Sequence, residues 1–234
     1  AAVTAHDASA RVLLMEKMPV AGGNSRLSGG ILIWSTSLDD ATKYLQACSD
    51  GRVDRDMISF MAEGLTQLPG YLNKLVEDVD AVSTIVNEPS LFYSFPGKES
   101  FSTLRVPGFK GQESRRRSGL MLMNTLFRNI EKRRIEVMFS TAAERLVQNS
   151  EGRVVGLSAK SQGKKITVKA TKAVILACGG FEFNDWLLKQ HCEIQPIYGI
   201  GCKGNTGDGI LMSQKAGAAL WHMWLLHGSY GFKF

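Results

Sequence analysis

A short apolar run that stops on a charged pair, with two pairs of glycines close behind it, constrains this 234-residue chain more than any other feature. Val12-Leu13-Leu14-Met15 suits a buried parallel strand and is too short for a stable helix. It ends in Glu16-Lys17. A carboxylate at the tip of a parallel strand is placed to hold the hydroxyls of a ribose. Next come Gly22-Gly23-Asn24-Ser25 and then Ser28-Gly29-Gly30. Glycine pairs so close together let bare backbone, with free N–H groups, approach a flat or anionic ligand.

Residues 1–10 are small and apolar with helical spacing and lead into that strand. Helices are predicted over 38–48 and 54–77. In the second, Asp54 stands at the N-cap and Met57, Ile58, Met61, Leu65, Leu68, Leu72 and Leu75 form a buried stripe. Pro69-Gly70 is expected to kink or split it. From 79 to 111, Pro89, Pro96, Gly97, Pro107, Gly108 and Gly111 read as one long loop carrying Phe92, Tyr93, Phe95, Phe101 and Phe109. A helix over 117–131, with Leu120, Met123, Leu126, Phe127 and Ile130 inward, feeds a strand at 135–139. A three-stranded meander follows at 143–148, 153–159 and 165–169, with turns near Gly152 and Gly163. A second buried strand is predicted at 173–177, ending in Cys178-Gly179-Gly180-Phe181-Glu182. Thr206-Gly207-Asp208-Gly209 then opens a helix over 210–218, with free N–H groups at its start.

Composition narrows the function classes. The net charge of +6 is scattered through Arg115-Arg116-Arg117, Lys132-Arg133-Arg134 and Lys164-Lys165, without the aromatic-interleaved stripe that nucleic acid requires. No nucleic-acid partner is expected. Cys48, Cys178, Cys192 and Cys202 lack CxxC spacing, and the four histidines lack HExxH spacing, so no metal site is expected. Scattered thiols suit a reducing compartment, hence a cytoplasmic location. No apolar run is long enough for a transmembrane segment.

In this order, the strand-Glu-Lys with GGNSxxSGG, the helix–strand–meander, VILACGG and TGDGI with AGA resemble the FAD domain of the fumarate reductase and succinate dehydrogenase flavoprotein superfamily. The SGG spacing and the LACGGFE form look closest to the 3-ketosteroid dehydrogenases. The fold class implied is α/β, a Rossmann-like FAD-binding domain with a parallel sheet and a β-meander, carrying a helical and loop insertion at about 38–111. The family's GxGxxG would fall before Ala1 and its capping domain after Phe234, so the expectation is of a domain truncated at both ends.

The resemblance implies a role for each matching residue. Glu16 would hold the adenosine ribose, with Lys17 flanking the adenine side. Gly22, Gly23, Asn24 and Ser25 would line the pyrophosphate and the flavin edge, and Ser28, Gly29 and Gly30 would pass beneath the flavin ring. Ala142 and Ala143 fall where the family contacts adenine through backbone. Ala177, Cys178, Gly179 and Gly180 match the family's A-T-G-G turn, with cysteine for threonine, and Thr206, Gly207, Asp208 and Gly209 match its T-G-D-G loop. No histidine stands between Gly22 and Gly30, which implies non-covalent FAD. The activity implied is hydride transfer between flavin N5 and a C–C bond conjugated to a carbonyl. A ketosteroid dehydrogenase would use a tyrosine as proton acceptor, with Tyr93 and Tyr71 as candidates. A fumarate- or urocanate-type reductase would use an arginine donor, and a non-catalytic remnant is the third alternative. The small-molecule substrate would be steroid- or dicarboxylate-like, and the electron partner stays open.

Overall fold

A computed structural model of the chain describes residues 1–86, 92–111 and 118–224. The arginine run 115–117, Pro89 and His227 lie outside the described residues. In chain order the elements are α1 (Ala2–Asp7), β1 (Leu13–Met15), α2 (Gly23–Leu27), β2 (Leu32–Ser35), α3 (Leu38–Ser49) and α4 (Arg55–Glu77). Then come β3 (Ala81–Val86), β4 (Phe101–Phe109), α5 (Ser118–Lys132) and β5 (Glu136–Met138). The chain continues through β6 (Thr141–Gln148), β7 (Val154–Ser161), β8 (Lys164–Lys169), α6 (Asp185–His191) and α7 (Asp208–Lys215). They form two compact units, one of Ala1–Asn24 with Glu136–Phe234, the other of Ser25–Ile135.

In the first unit β1 pairs in parallel with β5, Leu13 opposite Glu136 and Met15 opposite Met138. The Glu16 N–H continues this ladder to the Met138 carbonyl at 2.9 Å, and the Thr141 N–H donates to the Glu16 carbonyl at 2.9 Å. The predicted meander is present as β6-β7-β8, antiparallel throughout. Its register slips between Ala143 and Arg145, which places a bulge at the start of β6.

The strand predicted at 173–177 does not form. A strand exists only through ladder bonds to a neighbour, and no described strand pairs with these residues. The segment is extended in sequence character but exposed, Ile175 to 65%. Helix α6, which hydropathy did not reveal, starts at Asn184, whose side chain accepts from the Leu187 N–H at 3.1 Å.

The second unit is a three-stranded antiparallel sheet, β2-β4-β3, packed against α4 and α5. Leu72 and Val76 of α4, Ala81, Leu104 and Val106 of the sheet, and Leu122 of α5 form its core. The long loop expected over 79–111 is therefore wrong. Thr103, Leu104, Val106 and Gly108 are buried in β4, the central strand. Pro107 misled the reading, because proline is excluded from sheet centres except at bulges. Here the β3–β4 register shifts between Val82, opposite Gly108, and Thr84, opposite Arg105, so Pro107 sits in such a bulge.

Two helix readings also need correcting. Helix α4 is not split but runs unbroken through Pro69, held on both sides by buried Leu65 and Leu72. Its inward stripe is Ile58, Ala62, Leu65, Leu72, Leu75 and Val76, while Met57 and Met61 are exposed. In α5 the most buried positions include two polar ones, Thr125 and Asn129, both at 0% exposure. Asn129 Nδ2 donates to the Leu75 and Thr125 carbonyls, and its Oδ1 accepts from Arg133 Nη1 at 2.8 Å. Hydropathy cannot see a core position held by hydrogen bonds.

Candidate cofactor site

The first unit gathers most of the motif residues onto the tip of β1. Glu16 Oε1 accepts from the Met18 N–H at 2.7 Å, which fixes the carboxylate, and its Oε2 has no partner among the described residues. Lys17 Nζ donates to Thr206 Oγ1 and to Asp208 Oδ2, each at 2.7 Å. The Thr206 hydroxyl in turn donates to Asp208 Oδ1 at 2.8 Å. The strand tip and the TGDG loop are thus one cluster, although 191 residues separate Lys17 from Asp208. Ala142 and Ala143 follow Thr141, whose N–H is bonded to Glu16, and they lead into the β6 bulge.

The CGG turn joins the same cluster. The Gly207 N–H donates to the Gly180 carbonyl at 3.0 Å, and Asn184 Nδ2 donates to the Thr206 carbonyl at 2.8 Å. Gly179 has φ +73°, and a Cβ there would stand 2.6 Å from Asn205 Oδ1. At Gly209 a Cβ would meet Cys178 Cβ at 2.9 Å, so cysteine and glycine fit against each other at these two turns. Cys178 is exposed as a residue, yet its Sγ lies against Gly209. Desolvation there, followed by the Asp208 charge, pushes the thiol above its ordinary pKa. A cavity of about 320 Å³ opens at this point, lined among others by Leu176, Cys178, Gly179, Gly209, Trp221 and Met223.

Glu182 was quoted in its motif but given no role from sequence. Its Oε1 accepts from Asn24 Nδ2 at 2.5 Å and from Asn205 Nδ2 at 2.7 Å. Burial works against its charge, but hydrogen bonds from Asn205, its own backbone and Asn24 hold the carboxyl below the usual range. Asn205, only 6% exposed and just ahead of the TGDG loop, was likewise missed. The signal available was a polar residue abutting a glycine-rich turn.

Ser25, Ser28, Gly29 and Gly30 belong to the second unit. Ser28 Oγ donates to the Ser25 carbonyl at 2.9 Å and accepts from the Gly30 N–H at 3.0 Å. The Gly119 N–H at the start of α5 donates to the Ser28 carbonyl at 3.2 Å, and a Cβ at Gly119 would strike Ser28 Oγ at 2.8 Å. Gly30 has φ +65°, whereas Gly29 is outside the left-handed region and a Cβ there would meet only Ile31, at 3.8 Å. The aromatic stretch is largely packing. Tyr44 of α3, buried, lies edge-on to Phe92 and Phe95 and tilted against Phe101, and its Oη accepts from the Tyr93 N–H at 2.9 Å. Tyr93 itself is 73% exposed, with its ring beside Phe95.

This donor set suits an adenine dinucleotide. It offers an oriented carboxylate with one open oxygen for a ribose diol, and left-handed glycines at 22, 23, 179 and 207 that keep backbone bare. The class of protein that such a donor set suits is the domain that carries a dinucleotide cofactor. The chain belongs to the FAD binding domain family, whose profile matches residues 1–227, and FAD is the cofactor of that family.

Urocanate reductase of Eggerthella lenta is 30% identical over 94% of this chain, which covers 36% of that protein. A 3-oxosteroid 1-dehydrogenase of Mycobacterium tuberculosis is 49% identical over 55 residues, 23% of this chain and 10% of that enzyme. In fold, the chain matches the 3-ketosteroid Δ1-dehydrogenase of Sterolibacterium denitrificans with a TM-score of 0.82 at 20% identity, covering 95% of this chain and 53% of that one. The chain thus spans about a third of the urocanate reductase and about half of the dehydrogenase. No described helix is long and apolar enough to cross a membrane.

Proposed function

We propose that the protein is an FAD-dependent oxidoreductase acting on a C–C bond next to a carbonyl, with a ketosteroid-like substrate. The observation that carries the reading is the union of Glu16-Lys17 with Thr206 and Asp208, which sets the strand-tip acid and the glycine loop side by side. Bound non-covalently, FAD supplies a two-electron acceptor or donor at its N5. Glu16 Oε2 would hold the ribose hydroxyls while Lys17 keeps the TGDG loop against the strand tip. The backbone at Gly22, Gly23, Asn24 and Ser25 and at Ala177, Cys178, Gly179 and Gly180 would hold the pyrophosphate and flavin. Ser28, Gly29 and Gly30 would serve the flavin and Ala142 and Ala143 the adenine, and Gly207 and Gly209 keep the loop backbone bare. Tyr93 Oη, exposed and without a hydrogen-bond partner among the described residues, takes the substrate proton in the dehydrogenase direction.

The 55-residue match to a 3-oxosteroid 1-dehydrogenase supports the steroid reading, and the longer match to a urocanate reductase supports reduction of an unsaturated carboxylate. An anaerobic titration separates them. A saturated 3-ketosteroid is expected to bleach the flavin absorbance of the loaded protein. Reoxidation of the reduced flavin by fumarate or urocanate, with no steroid bleaching, overturns the steroid reading. A protein that takes up no FAD overturns both.

A further inference from the structure

We propose that Glu182 is a positioning residue for the cofactor site, one carboxylate oxygen holding the GGN turn that opens α2 and the NTGDG loop in the arrangement that receives FAD. The inference rests on the cofactor reading above and goes beyond it. Oε1 accepts from Asn24 and from Asn205, residues that lie 158 and 23 positions away in the chain. A carboxylate oxygen has lone pairs for both, and bonds to an ionised acceptor are the strong ones.

Both polar atoms of the Asn24 amide are engaged in holding the turn. Its Nδ2 is spent on Glu182 and its Oδ1 accepts from the Cys202 N–H at 2.8 Å. What the GGN turn offers FAD is backbone, and Gly22 and Gly23 beside it, at φ +112° and +49°, are the residues that lose most freedom on ordering. Asn205 extends the fastening. Its carbonyl accepts from the Phe183 N–H at 3.0 Å and its N–H donates to the Cys202 carbonyl at 3.0 Å. Among the described residues, the side-chain bonds that join the two segments besides those of the carboxylate run through Cys202. Gly180 leaves the space the acid needs, since a Cβ there would stand 2.8 Å from Glu182 Oε2. Fixing both loops before the ligand arrives removes an ordering cost from binding.

The test compares Glu182→Ala and Glu182→Gln with the wild-type chain by amide hydrogen exchange without FAD and by FAD titration. The alanine variant is expected to exchange faster at 22–24 and 201–206, to leave β6, β7 and β8 unchanged, and to bind FAD at least about tenfold more weakly. Glutamine keeps an acceptor of the same reach and should bring affinity back to within about threefold of wild type. Unchanged exchange at the two loops overturns the proposal, as does faster exchange throughout the meander, which would mark a role in the whole fold. Faster loop exchange with wild-type affinity refutes the positioning role. A wild-type chain that takes up no FAD overturns the functional reading and the cofactor role together, while the exchange comparison still decides whether the clamp exists.

Discussion

Replacing Gly207 by alanine should damage the first unit more than the same change at a turn glycine with nearly the same φ. Gly207 caps α7 at φ +79°, donates to the Gly180 carbonyl, and accepts from the Leu211 N–H at 3.0 Å. A Cβ in that conformation costs about 1–2 kcal/mol whatever surrounds it. It would also collide with Leu187 Cδ1 and stand 3.1 Å from Phe181 Cβ. Leu187 is 1% exposed and has nowhere to swing, so overpacking adds about 1–3 kcal/mol. The sum is about 2–5 kcal/mol. Gly152 provides the comparison. It has φ +78° in the β6–β7 turn of the same unit, and a Cβ there would meet nothing within 4 Å. Gly152→Ala should therefore cost only the backbone share. Urea unfolding followed by circular dichroism measures both. Equal losses in the two variants would refute the packing argument and leave Gly207 an ordinary turn glycine.

Glu16→Ala should weaken FAD binding by about 1.5–3 kcal/mol, the worth of a hydrogen bond to a charged group, and an unchanged dissociation constant in titration would remove Glu16 from the ribose site. Gly29→Ala should change stability by less than about 0.5 kcal/mol, because its Cβ meets only Ile31 at ordinary distance; any loss of FAD uptake in this variant then reports contact with the ligand. Asp78 accepts from Arg133 Nη2 at 2.8 Å, and that bond, opposed by burial and helped by Lys132, holds its carboxyl below the ordinary range. A depressed folded-state value means stability present above the unfolded-state value and lost as pH falls through the folded one. The second unit should therefore weaken below about pH 4, with a shallower acid dependence in Arg133→Met, read from unfolding midpoints across pH.

The meander and the longer helices were legible because alternation and three- to four-residue spacing are local signals, whereas the short α2 and α6 were not. So were the strand tip and the glycine motifs, where chemistry and backbone freedom coincide in a few adjacent residues. What stayed hidden was set by partners distant in sequence. Residues 173–177 read as a strand on composition, but pairing decides strands, and none of the described strands pairs with them. β4 was hidden by Pro107, which only a bulge opposite β3 accommodates. The inward face of α5 was read only in part: Leu126 and Ile130 do turn inward, but Thr125 and Asn129 beside them are buried through hydrogen bonds. At the site, Glu182 and Asn205 were visible letters whose meaning depends on Asn24 arriving from the other end of the chain.

The pairing of β1 with β5 also imposes an order of assembly on the nascent polypeptide. The second unit is a continuous segment, Ser25–Ile135, and can fold as soon as it leaves the ribosome. Leu13 meets Glu136 only after that whole segment has been made. Closing so long a loop in an open chain costs about 4 kcal/mol in configurational entropy, and prior compaction of the intervening segment takes most of that chain out of the loop. Lys17 waits longer still, for Thr206 and Asp208, 189 and 191 residues further on. The Lys17–Thr206–Asp208 cluster thus forms only after all of the second unit has been made, and translation that stalls before Asp208 leaves the cluster incomplete.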